Sequence, residues 1–177
     1  MLNFQLPFLA TVGIAALVPT IVGFIWYNPK FLGKAWMEAA GLTQETAQKG
    51  FNMPLVFGLS LFLSFMLALS LGSVVIHQMG LSSMMKDASE MKDANSFTSQ
   101  AYHHLMTNFS GNYRTFKHGA FHGIILGIFT ILPVIATSAM FERKSFKYIA
   151  INAGYWIISL AIMGAIICHF TAYPTAG

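Results

Sequence analysis

Residues 148–172 read YIAINAGYWIISLAIMGAIICHFTA, twenty-five consecutive positions without an Asp, Glu, Lys or Arg. At about 1.5 Å rise per residue, a helix of that length crosses a hydrocarbon core about 30 Å thick. Three more stretches have the same character: 5–27, 54–78 and 119–141. Every charged residue of the chain falls outside these four. Peptide groups left unpaired in hydrocarbon are costly, so each stretch is expected to cross as a helix. The sequence thus predicts an all-α integral membrane four-helix bundle, built as two helical hairpins with short interfacial helices in the loops.

The composition agrees. The chain has 177 residues, 55% hydrophobic and 9% charged, against about 25% charged in a soluble domain. Residues 1–177 are expected to form a single transmembrane domain, leaving no room for a separate soluble catalytic unit. A net charge of +4 invites a nucleic-acid reading. We reject it because the basic residues sit beside span ends, where anionic lipid headgroups attract them. Membrane lipids are the expected surroundings. The first apolar stretch is too long for a signal peptide core and lacks a basic leader before it, so it is read as a mature span. Cys168 is the single cysteine and has no partner for an internal disulfide.

Short loops rich in Lys and Arg favour the cytoplasmic side. The first loop carries Lys30, Lys34 and Lys49, and the third carries Arg143, Lys144 and Lys147. The long loop 79–117 holds the other four: Lys86, Lys92, Arg114 and Lys117. This predicts a cell (inner) membrane protein with both termini and the long loop outside. Trp26, Tyr27, Phe141, Tyr155 and Trp156 suit the interfacial aromatic belts.

Helices in lipid associate through close packing of small residues. Ser60, Ser64, Ala68 and Gly72 recur every four positions in the second stretch, as do Gly119, Gly123 and Gly127 in the third. Each set makes a smooth stripe on one helix face and is expected to be a packing surface. Pro19 and Pro133 are expected to kink their helices. Pro29 to Ala40 reads as a short interfacial helix stopped at Gly41, and Thr43 as the cap of another ending at Gly50. Leu81, Met84, Met85 and Ala88, then Ala101, Leu105 and Phe109, have helical spacing. They predict two amphipathic segments in the long loop.

Several motifs resemble a bacterial and fungal membrane family, domain of unknown function 1761. Trp26-Tyr27-Asn28-Pro29 with Phe31-Leu32-Gly33-Lys34-Ala35-Trp36-Met37 is similar to its WYxP…FGKAWM element, and Gly41-Leu42 continues it. His118-Gly119, Pro133, Phe141-Glu142-Arg143-Lys144-Ser145, Ile151-Asn152-Ala153-Gly154-Tyr155-Trp156 and Met163-Gly164-Ala165-Ile166 follow in the family's order. The likeness covers roughly two thirds of the chain and departs from the pattern in the long loop 79–117. It implies a four-helix membrane protein and transfers no catalytic residue.

Two groups of polar residues draw attention. Asn28, Lys34, Glu142, Arg143 and Asn152 are expected to meet on the cytoplasmic face. They would form a polar clasp between the hairpins or a site for an anion, a lipid headgroup or a partner. Lys34 and Glu38 have helical spacing for a pair. All six histidines map to the other face. His118 and His122 lie one turn apart, His77 ends the second stretch and His169 ends the fourth. Imidazole suits zinc, copper and iron, and His at i and i+4 is a workable pair of ligands. Haem ligation by His118 or His122 is the alternative use. No paired-cysteine or HExxH pattern accompanies them.

The spans hold no charged residue, where proton relays and ion sites usually show. That absence speaks against transport and toward an accessory role. The leading expectation is a non-enzymatic accessory or structural subunit, or else a small transporter-like homo-oligomer, without a cofactor. The alternative is a metal- or haem-binding redox protein using an outer-face cluster of these histidines with Met79, Met84, Met85, Met91 and Met106.

Overall fold

The computed structural model describes residues 5–43, 45–46, 52–85 and 88–172. Of these residues 80% are helical, and they contain no β-strand, only an isolated bridge between Leu6 and Thr171. Four helical segments are long and apolar enough to cross a membrane: Phe8–Trp26, Met53–Val75, Phe116–Phe141 and Phe146–Phe170.

The first span is two short helices, α1 (Phe8–Ala16) and α2 (Val18–Trp26). Pro19 explains the joint. Its ring has no N–H and crowds the carbonyl four residues earlier, and the ladder breaks at Leu17, two residues before it. Then come α3 (Gly33–Ala40), α4 (Met53–Val75) and α5 (His77–Met85). Gly41 ends α3 in the left-handed conformation, φ 75°, which glycine adopts at little cost. Thr43 and Thr46 cap each other reciprocally. The further helix expected to end at Gly50 lies largely outside the described residues.

The long loop is helical where its pattern is. After α5, a short 3₁₀ turn (Ser89–Lys92) leads to α6 (Phe97–Phe109), which Ser96 caps. The third span is α7 (Phe116–Leu126), a π-helical turn (Gly127–Ile131) and α8 (Leu132–Phe141). The wide turn falls just before Pro133, where a regular ladder would lose a bond. The fourth span is one unbroken helix, α9 (Phe146–Phe170), capped by Ser145.

The most buried span is α9, and the others pack around it. Its Leu160, Met163 and Ile167 join Val12 and Ala15 of α1 and Ala68, Leu71 and Val75 of α4 in the core. The glycine stripe of α7 lies flat on α9. A Cβ at Gly119 would overlap the Gly164 carbonyl, one at Gly123 the Leu160 carbonyl, and one at Gly127 the side chain and Cα of Ile157. In the α4 stripe, Ser64, Ala68 and Gly72 are buried, whereas Ser60 is exposed. The stripe therefore contacts the bundle over its last three members. At Gly72 the neighbour is the Phe8 ring, 2.6 Å from where a Cβ would sit.

The residues around Leu6 and Thr171 and the described segments 76–85 and 88–115 gather at one end of the bundle, the tail end. Leu6 N–H donates to the Phe170 carbonyl at 2.7 Å, and Arg114 donates to the carbonyls of Cys168 and Thr171. The two short loops meet at the opposite, short-loop end.

Candidate metal site at the tail end

The α4 helix stops at Val75. Ile76 is extended, φ −111° and ψ 92°, and α5 restarts at His77. This break swings His77 over the start of α7, where His118 and His122 stand one turn apart. The three imidazoles converge. Ligand nitrogens of His77, His118 and His122 all lie within 4.8 Å of one another. The closest pair, His77 Nε2 and His118 Nε2, are 2.8 Å apart and share a hydrogen bond. The His118 and His122 ring centroids are 4.5 Å apart, and those of His77 and His122 5.1 Å.

The surroundings hold this geometry. Thr115 caps α7 by accepting from His118 N–H at 3.2 Å. Next to His77, the buried Gln78 donates through Nε2 to the carbonyls of Phe109 and Asn112, at 3.1 and 3.0 Å. That fixes the start of α5 against the end of α6. Gly119, one residue past His118, lets α7 approach α9 closely. His77 is exposed and the other two are half-buried, so the cluster opens outward.

Tyr113 sits beside the cluster, its ring 5.1 Å from that of His118 and 6.0 Å from that of His77. It holds a positive φ of 61°, a conformation disfavoured for a residue with a Cβ. Its carbonyl accepts from the buried Cys168 thiol at 3.3 Å. Strained residues tend to collect where a site demands a particular geometry. Tyr113 and His77 also line a mainly apolar cleft of about 340 Å³, with Leu81, Leu105, Met106 and Phe109 on its walls.

Three imidazole nitrogens are a complete protein ligand set for a zinc site that keeps one position open. Metal–nitrogen distances of about 2.1 Å in a tetrahedron place the nitrogens about 3.4 Å apart. The 2.8 Å pair must open to reach that spacing, and the upper bound of 4.8 Å brackets it from above.

The sequence-selected residues divide clearly. His77, His118 and His122 come together. His169 does not join them; its ring stacks on Phe116 with centroids 4.1 Å apart. Tyr113 carried no sequence signal that would have marked it.

On the short-loop end the expected five-residue cluster does not assemble as one group. Asn28 Oδ1 accepts from the Lys30 backbone N–H at 2.9 Å and shapes its own turn. Asn152 accepts from Tyr27 hydroxyl at 3.1 Å and donates to the Tyr148 carbonyl at 2.8 Å. Lys34, Glu142 and Arg143 are exposed. Glu38 pairs with Lys147 at 2.6 Å rather than with Lys34. That hydrogen bond, and then the lysine charge, hold its carboxyl below the usual range. Lys144 Nζ donates to the Ala40 carbonyl at 3.0 Å. The first and third loops are therefore joined through Glu38, Lys144 and Lys147. A lysine two positions into a helix gave no hint from sequence that it would reach a carboxylate in a different loop.

The segments that carry the family resemblance also meet. Trp26 Nε1 donates to the Ile151 carbonyl at 3.0 Å, its ring covers Gly154, and the Tyr27 and Tyr155 rings lie 5.2 Å apart. No curated protein and no solved structure matches the chain. A family model does match, over residues 10–168, and the chain belongs to the family described as "Protein of unknown function (DUF1761)".

Proposed function

We propose that this multi-pass protein binds a transition-metal ion at the tail end of its bundle through His77, His118 and His122. The observation that carries this reading is the convergence of three imidazoles from two separate helices within 4.8 Å. Neutral imidazole is the ligand of zinc, copper, nickel and iron, and the absence of any carboxylate from the group disfavours magnesium and calcium. The clustering supports a bare ion over haem. His77 Nε2 and His118 Nε2 hydrogen-bond directly at 2.8 Å, which leaves no room for a macrocycle between them.

The role is binding, transfer or sensing of the ion by a non-enzymatic membrane protein. The third span favours a second, compatible reading as a subunit of a homo-oligomer or larger membrane complex. It is the least buried of the four, with Phe129, Val134 and Phe141 pointing outward. The orientation expected from the basic loops places the site outside the inner membrane.

Elemental analysis of protein extracted gently from its own membrane tests the metal reading. About one equivalent of a single transition metal per chain, lost in a His118→Ala/His122→Ala variant that still folds, supports it. Metal content that is negligible, after incubation with zinc or copper and removal of excess, removes it.

A further inference from the structure

The short-loop end holds a second feature, about as far from the histidines as the bundle is long. An open cavity of about 480 Å³ lies between the end of α3 and the start of α9. Arg143, Lys144 and Lys147 line it, and Glu38 is the single carboxylate on its wall. Glu38 is already engaged by Lys147. Lys144 holds the Ala40 carbonyl. Three cations against one carboxylate leave a positive excess in a concave site, and Glu142 does not line it.

Its level matters. The cavity sits where the third span ends at Phe141 and the fourth begins at Phe146. That is the boundary between hydrocarbon and water, where lipid phosphates lie. The exposed Phe141 and Phe146 flank this loop and suit insertion beside lipid chains.

Arg143 is placed there at a cost. It follows α8 with φ 58°, a position at a helix end that ordinarily goes to glycine. Lys144 N–H closes the turn onto the Ala139 carbonyl at 2.8 Å. A planar guanidinium beside two ammonium groups matches the oxygens of a phosphate, which arginine meets with two parallel hydrogen bonds.

We propose that this cavity binds a phosphate group, with Arg143 as its principal contact and Lys144 and Lys147 as flanking charges. The chemistry is shared by an anionic phospholipid headgroup and by free phosphate.

Arg143→Gly separates binding from folding, because glycine accepts the positive φ without strain. The full chain in detergent is offered phosphatidylglycerol, phosphatidylcholine or inorganic phosphate, and retained ligand is read by native mass spectrometry. Lys30→Gln, which alters an exposed lysine outside the cavity, is the control. The native chain is expected to retain phosphatidylglycerol over phosphatidylcholine. Arg143→Gly should lose about tenfold of that preference, and Lys30→Gln should keep it. Retention of inorganic phosphate that is lost in Arg143→Gly, without lipid preference, supports the same site with a soluble anion. A native chain that neither prefers the anionic lipid nor retains phosphate overturns the proposal. So does an Arg143→Gly variant that binds as the native chain does.

Discussion

Gly119 and Gly164 face each other so closely that a Cβ on either would overlap the other's carbonyl oxygen. This mutual contact sets the distance between the third and fourth spans, and with it the height of His118 beside the bundle. Apolar transfer gives no drive for association inside lipid, so the fit of backbone on backbone carries the stability.

Gly119→Leu or Gly123→Leu should therefore force α7 away from α9. Overpacking of a tight core typically costs about 1–3 kcal/mol, and backbone on the far side leaves little room to relax. The expected outcome is a clear fall in melting temperature in detergent. Ser60→Leu, on the exposed part of the α4 stripe, should leave it nearly unchanged.

Asn152 links two spans by accepting from the Tyr27 hydroxyl while donating to the Tyr148 carbonyl. Asn152→Leu removes both bonds and leaves a half-buried hydroxyl without its acceptor. A loss of about 1–3 kcal/mol is expected. Tyr27→Phe should cost less. Combined with Asn152→Leu, it should add little beyond the single Asn152 change, since the hydroxyl is then gone. Chemical or thermal denaturation of the four chains checks the cycle.

The Glu38–Lys147 pair gives a pH dependence of known sign. Its carboxyl is held below the ordinary 4.5, chiefly by the lysine hydrogen bond. The folded state thus favours the charged form. The contribution is fully present above that ordinary value and is lost as pH falls through the lower folded value. Both groups are solvent-exposed, so the effect is small and screened by salt. Between about pH 6 and pH 3 the native chain should lose its advantage over Glu38→Gln. A difference in melting temperature that stays constant across that range would contradict the pairing.

Cys168 is fully buried, its thiol shared between the carbonyls of Val75 and Tyr113 at 3.4 and 3.3 Å. Alkylation by a maleimide should be slow in the folded protein and should track unfolding on heating. Rapid labelling at room temperature would mean that the tail end opens far more readily than this packing allows.

Much of the fold was legible because hydrocarbon leaves a chain few choices. Four uncharged runs such as 148–172 need helices, and the glycine spacing at Gly119, Gly123 and Gly127 names the face that packs. Pro19 and Pro133 likewise marked the irregular turns, though not their kinds: a joint at Leu17 in one span and a π-helical turn in the other.

The candidate site was legible only in part. His118 and His122 are neighbours by helical periodicity alone. His77 reaches them because α4 breaks at Ile76, and no proline or glycine stands at that position to signal it. His169 carries the same residue type at the same end of the bundle, yet Phe116 claims its ring. The lysines of the third loop were readable as basic residues near a span end, but their partners depend on how α3 folds back over the start of α9. Such contacts are set by tertiary packing, and local sequence does not encode them.

Zinc or copper binding to four single variants tests the central claim most directly. Isothermal titration of the purified chain should show about one site, which His77→Ala, His118→Ala and His122→Ala each weaken by at least about tenfold while His169→Ala leaves it intact. If the native chain takes up no ion, or if the three variants bind as well as it does, the three-histidine site does not bind metal.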